Sequence, residues 1–481
     1  MSVFMRLGSV FSVVLLLAAC SSGGSSGSSA CPSNNSAGNS ELTTLIEACE
    51  AHTGIDGVNR AAIAMSSSVS ANNGNACQEL HQYNLFAPNE EEGFLCGDPR
   101  RPLVVEDQYQ GLPYALNTAL FSDYTAKHRI VFLPKDEDGE FIPAEYRDAG
   151  SSPDGTPGTG DLDKANDNLI FPVGTVIAKT FTYPDASDTG NIQERVIETR
   201  LLIKHTNTSD ESASWEGVAY VWEQDENTGE WIARRDNLGL SALGEARNWH
   251  YPDPNDPGQI ISGSNDEGEN IYPIPSRQNC LQCHRNADQD AGAAPIGLKA
   301  RFLNRPYVSE FDEFTADPAE LTAGIGRNQI DFWADEGWLT EVDPAAYTLD
   351  SDTQVISDIE RTLPYNLPLN SGDSEADYAH LTARARGYLE VNCAHCHNEV
   401  RGSVEDFYME FQRDFCSANL FGQNRITPGE PDVSGDVHQR INIPRSETGG
   451  MPLLARELVH EEGAAVIREW IEQMPADICP D

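Results

Sequence analysis

Residues 377–397 read DYAHLTARARGYLEVNCAHCH, and this stretch decides how the C-terminal part of the chain is organised. Tyr378, Leu381, Ala385, Tyr388 and Leu389 recur near helical spacing, so the spacing predicts an amphipathic helix over 377–392. That helix runs directly into Cys393-Ala394-His395-Cys396-His397. The same Cys-x-x-Cys-His pattern occurs once more upstream, as Cys280-Leu281-Gln282-Cys283-His284.

The pentapeptide is the attachment signal for covalent c-type haem. Its two thiols add across the haem vinyl groups, while the adjacent His turns back to give iron its proximal ligand. Cys280, Cys283, Cys393 and Cys396 are therefore read as attachment cysteines, and His284 and His397 as iron ligands, for two covalently bound haem c. With 11 Cys and 11 His in 481 residues, two such motifs by accident is on the order of one chance in 10^5. A four-thiolate zinc site also uses paired Cys-x-x-Cys, but it asks for no His after both pairs. A thioredoxin-like redox pair is a further alternative, and it too leaves the His unexplained.

Outward from the second motif, residues 459–474 repeat the helical pattern with Val459, Val466, Ile467, Trp470, Ile471 and Met474. Two helices flanking a haem motif resemble class I cytochrome c, in which a small residue eight before the first Cys lets the terminal helices cross closely. Ala385 and Leu389 match that first helix, and Trp470 and Ile471 look like the aromatic and aliphatic pair of the last. The resemblance implies a methionine sixth ligand, whose thioether favours ferrous iron. Met451, in Gly449-Gly450-Met451-Pro452, stands where such proteins keep it. For the first haem the distal ligand stays open between Met409, a His such as His250 or His380, and a vacant position, because no Met lies between Met65 and Met409.

Residues 1–19 hold one basic residue, Arg6, then an apolar run too short to cross a bilayer, which is the anatomy of a secretory signal. The run ends Leu17-Ala18-Ala19-Cys20, which resembles a bacterial lipobox and implies lipid on Cys20. Ser21 after it resembles the outer-membrane sorting rule for lipoproteins, so the expected location is the periplasmic side of a bacterial membrane. Residues 20–40, rich in Ser, Gly and Asn, read as a flexible tether. Export permits disulfides. Six cysteines remain for them, with Cys416 expected to pair with Cys479, and with Cys31, Cys49, Cys77 and Cys96 pairing among themselves in one of three ways.

The formal charge is -44, from 76 acidic and 32 basic residues. Such a body repels nucleic acid and anionic headgroups, so the expected partners are redox proteins, with membrane contact through the N-terminal lipid only.

Residues 41–103 form a small Cys-containing region with helical fragments. Residues 104–250 change to short β-rich runs, clearest at 129–133, 169–183, 196–205 and 215–222, and 225–231 reads as a hairpin turn returning into a strand. An acidic insertion at 148–168 reads as a loop. Its Asp161 and Asp163 lack the Gly and final Glu of an EF-hand. Residues 251–370 carry the first haem motif after a Pro-, Asp-, Gly- and Asn-rich segment, so no ordinary helix leads into Cys280. Within them 298–303 and a helix over 328–338 offer apolar cover. Residues 371–481 form the last unit. The expected fold class is thus multidomain α+β, an antiparallel β-rich, sandwich-like domain followed by a mainly α-helical, cytochrome c-like haem region.

Taken with the lipobox, Phe171-Pro172-Val173-Gly174-Thr175, Glu198-Thr199-Arg200-Leu201-Leu202, Pro295-Ile296-Gly297, Arg301-Phe302-Leu303-Asn304 and both haem motifs resemble a family of bacterial dihaem c-type cytochrome lipoproteins over residues 104–481. The resemblance implies haem binding and single-electron transfer, and it names no substrate. The alternative is a haem enzyme, a peroxidase or oxidoreductase subunit with the first haem as catalytic iron. A binding module built on the β domain comes third.

Overall fold

Side chains alternate across a strand, and here the alternation is apolar on both sides. Ile130 and Phe132 pack with Ala178, Leu201, Ile203, Tyr220 and Trp222, whereas Val131 and Leu133 pack with Ile177 in a separate core. These strands are therefore covered on both faces. The computed structural model describes residues 57–68, 76–146, 169–185, 193–206, 213–236, 249–253, 256–263, 272, 274–275, 282–284, 295–310, 326–342, 347–359, 361–365, 374–398, 407–414, 416–421, 425–433, 435–444, 447–454 and 456–479.

The main sheet has eight strands: β1 (Leu112–Pro113), β2 (Ala126–Phe132), β3 (Val176–Asp185), β4 (Gln193–Thr206), β5 (Ala213–Gln224), β6 (Trp231–Arg235), β7 (Trp249–Asp253) and β8 (Asp256–Gly263). Their order is β6-β5-β4-β3-β7-β8, with β2 on β3 and β1 on β2. The pairs are antiparallel except β7 on β3, which touch in parallel at His250 and Asp185. A large antiparallel sheet in a mixed helix-and-sheet chain is what the short β-rich runs predicted, and the turn at 225–231 is the expected hairpin, closed by Asp225 N–H on Glu230 O at 2.8 Å. A three-stranded sheet of Ala144–Tyr146, Leu169–Ile170 and Leu339–Thr340 adds Ala144, Leu169 and Leu339 to the core on one face.

Part of the segment before the first motif departs from its irregular reading, because β7 and β8 lie in it. Pro252 and Pro257 hide them in the sequence, and they are tolerated because β8 is an edge strand and β7 pairs with β3 at one position only.

One sheet face is covered by α1 (Arg60–Ser68) and by residues 77–94, through Ala62, Ile63, Leu80, Tyr83 and Phe94. The other is covered by the chain that follows the first motif: Leu298, α2 (Ala300–Leu303), α3 (Gln329–Asp335) and Trp338. Gly297 starts this cover with φ +87°, and a Cβ there would sit 2.7 Å from Leu116 Cδ1, so only glycine makes the approach. Asn328 begins α3 by accepting the Ile330 and Asp331 N–H groups.

The C-terminal helices are α4 (Ser374–Leu389), α5 (Val437–Ile441) and α6 (Glu461–Glu472). Leu381, Ala385 and Leu389 share a core with Ala464, Ile467, Trp470 and Ile471. The approach is close at Gly463, where a Cβ would stand 2.4 Å from the Tyr388 ring, and Trp470 Nε1 donates to Thr382 Oγ1 at 3.2 Å. The expected Cys416–Cys479 disulfide is present, and Cys77 and Cys96 are each disulfide-bonded. Residues 1–56, with Cys20, Cys31 and Cys49, lie outside the described residues, as do the acidic insertion at 148–168 and Cys280. Among the described residues no helix is long and apolar enough to cross a membrane.

Candidate functional site

α4 does not end where its α-helical bonding ends. From Leu389 it passes into a π-helical turn, Glu390–Ala394, that carries Cys393. Such single wide turns concentrate at functional sites. Two side chains of the turn are gripped from outside. Asn392 Oδ1 accepts Phe121 N–H at 2.9 Å, while its amide donates to Tyr388 O at 3.0 Å. Glu390, itself buried, receives Lys299 Nζ at 2.7 Å and Arg301 Nη1 at 2.8 Å. Burial raises the Glu390 carboxyl, but the Lys299 and Arg301 charges bring it below its ordinary value. The cover that follows the first motif is thus bonded to the turn that presents the second.

After that turn the chain folds back on Cys393, whose carbonyl accepts Cys396 N–H at 3.0 Å and His397 N–H at 2.9 Å. His397 returns beside the cysteine pair. Its ring stacks on Phe407 with centroids 4.2 Å apart, and Arg425 lies 5.2 Å from the centroid of the same phenyl ring. Met409 N–H holds His397 O at 2.9 Å. Burial lowers the His397 imidazole to about 4, so it is neutral with a lone pair to give. Its Nδ1 is buried with no hydrogen-bond partner among the described residues. Burial also pushes the Cys393 thiol up to about 12, with Cys396 beside it adding to the rise. Cys283, Cys393 and Cys396 are not in disulfides.

Of the first motif, Gln282, Cys283 and His284 form a helical turn with Cys283 and His284 half-buried. It lies against the second: Cys396 Sγ is 4.0 Å from Gln282 O, although 114 positions separate them. Among the described residues no three His, Cys, Asp or Glu side chains converge on a bare metal ion. The donor set is one imidazole beside two thiols. That set fits a haem, in which the porphyrin supplies the four equatorial ligands.

Met451 sits in a stiff loop. Its N–H donates to Arg440 O at 2.9 Å, Arg440 Nε donates to Gly449 O at 3.1 Å, and a Cβ on Gly450 would meet Ile443 O at 2.5 Å. Arg456 ties the same loop through Ile441 O and Ile443 O at 3.1 and 2.8 Å. Met451 is half-buried and, among the described contacts, shares none with the pentapeptides. Of the distal candidates for the first haem, Met409 is buried in the C-terminal core, His380 is exposed on α4, and only the backbone of His250 is described, in β7.

The sequence reading missed His460, which joins the sheet domain to α4. Its ring stacks on Phe121 with centroids 4.2 Å apart, and Nδ1 meets Tyr388 OH at 3.2 Å. Burial, with the Lys127 and Arg456 charges, lowers it to about 3. A histidine held neutral keeps its share of stability above the unfolded value of about 6.5 and loses it as pH falls toward the folded value. We expect the unfolding free energy of the native chain to drop by about 2 kcal/mol more than that of His460→Phe between pH 7.5 and 5. Denaturant titrations at the two pH values measure the difference, and equal drops would remove His460 as the cause. Glu390 and Asn392 were missed as well, because charged and amide residues in a helical pattern read as solvent-facing.

No family model, curated protein or solved structure matches the chain.

Proposed function

We propose that this chain is a dihaem c-type cytochrome that passes single electrons between redox partner proteins, anchored through lipid on Cys20 at the periplasmic side of a bacterial membrane. The observation that carries the reading is the 4.0 Å approach of Cys396 Sγ to Gln282 O, which sets two attachment motifs side by side. Cys280 and Cys283 would hold one haem with His284 as axial donor, and Cys393 and Cys396 the other with His397. Bound haem supplies an iron that gains or loses one electron without making or breaking a bond to substrate.

The rest is done by the polypeptide. Phe407 fixes the plane of the His397 ring, and burial keeps that ring unprotonated. Adjacent motifs shorten the gap an electron must cross, and tunnelling falls steeply with distance. Ala385 and Leu389 pack with Trp470 and Ile471, as the terminal helices of a cytochrome c-like unit would, and by that resemblance Met451 would serve as sixth ligand. The Cys416–Cys479 disulfide supports export into an oxidising compartment.

Intact mass and pyridine haemochrome on the exported protein should agree on two covalent haems. Fewer, or haem released by acid acetone, overturns the reading. Met451→Ala should keep the haem count, lose the weak thioether-to-iron band of the oxidised protein and lower one midpoint potential, because ferrous iron loses a soft ligand. A surviving band would move the assignment to Met409 or Met474.

A further inference from the structure

Three cations lie in one row across the middle of the main sheet. Arg129 of β2 is directly opposite Lys179 of β3, and Lys179 is directly opposite Arg200 of β4. One step along the strands, Lys127 and Glu198 flank Phe181 in the same way. Arg200 and Lys127 lie 4.1 and 5.6 Å from the centroid of the Phe181 ring.

Among the described residues, charge on this face does not balance. Among the described residues Glu310 pairs with Arg129 at 3.0 Å and Glu198 with Arg200 at 2.5 Å. Lys127, buried, donates to Thr125 O at 2.8 Å, and neither lysine has a carboxylate partner among the described residues. Asp123 is near Lys127, but its oxygens are taken by the Glu457 and Leu458 N–H groups at 2.8 to 2.9 Å. Arg129 is 2% exposed, and its Nε and Nη2 have no hydrogen-bond partner among the described residues. Burial, and then the neighbouring cations, hold Lys179 well below its ordinary value. Among the described residues, two carboxylates pair with this cluster of four cations. Uncompensated buried charge is costly unless an anion completes the site.

The covering segment indicates which anion. Tyr272 lies on this face, with its OH 2.7 Å from Glu198 and 3.0 Å from Arg200, and Ile274 packs beside it. Cys280 follows Ile274 by six residues, which reach at most about 20 Å. A group attached at Cys280 and Cys283 is therefore tethered close to the row.

We propose that the row Arg129–Lys179–Arg200, with Lys127, binds a pair of carboxylates, and that these are the propionates of a haem attached at the first pentapeptide. The inference rests on the dihaem reading for its source and on the unbalanced cations for its chemistry. A positive charge beside the propionates favours the reduced iron, so its removal lowers the potential.

The test is a spectroelectrochemical titration of the full holoprotein as wild type, Lys179→Gln and Lys179→Arg, with haem counted in each. We expect both haems to be retained, one midpoint potential to shift downward in Lys179→Gln, and Lys179→Arg to restore it. Calorimetric titration with succinate separates the sources. Succinate binding that disappears in Lys179→Gln, with both potentials unmoved, would make the occupant a soluble dicarboxylate and overturn the propionate assignment. Unmoved potentials without succinate binding overturn the proposal entirely. If the wild type carries no haem, the dihaem reading fails and the row is judged by the succinate arm alone, where binding supports a carboxylate site and its absence overturns it.

Discussion

Cys393→Ser with Cys396→Ser is expected to halve the covalent haem content, from two per chain to one. These two sulfurs lie on the π turn and the fold-back that follow α4, so their loss removes one attachment point and leaves the other pentapeptide chemically intact. The remaining haem should also report the change. With the motifs 4.0 Å apart at Cys396 and Gln282, a charge on one haem is felt at the other, so the surviving midpoint potential should differ from both wild-type values. Haemochrome assay and redox titration measure both effects. Retention of two covalent haems in the double variant would end the attachment reading of this motif.

Glu390→Gln should cost about 3–5 kcal/mol of unfolding free energy, the usual penalty for leaving a buried ion without its partner. Arg301 is fully buried and its guanidinium donates to both Glu390 oxygens, at 2.8 and 3.1 Å. Lys299→Met should cost far less, because Glu390 keeps both hydrogen bonds from Arg301 and only a partly exposed charge is lost. Denaturant unfolding of the two variants separates them. Equal losses would show that the triad acts through packing rather than charge.

Where the pattern was local, the sequence was readable. Residues 129–133 and 196–205 are short runs rich in β-branched and aliphatic residues between polar turns, so β2 and β4 were legible. The helix leading into Cys393 was legible from five apolar positions, and the Cys416–Cys479 pair from an even count of remaining cysteines. What stayed hidden depends on register and long-range approach. Arg129, Lys179 and Arg200 lie on three different strands, each reading as an ordinary solvent-facing position; only the register of the sheet lines them up in one row. Glu390 looks like any surface glutamate until Arg301, 89 positions earlier, is folded against it. Likewise, nothing near Gln282 shows that its carbonyl meets Cys396, because the contact joins two segments 114 positions apart.

The Cys416–Cys479 bridge spans 63 positions, and the Met451 loop, α5 and α6 all lie inside the loop it closes. A protease that cuts once between Cys416 and Met451 therefore severs the backbone without releasing a fragment. The C-terminal piece, with Met451, would stay joined to the piece bearing Cys393 and Cys396. On a gel the nicked chain should run as one species until reductant is added, and then as two, with haem stain confined to the piece that ends before Met451.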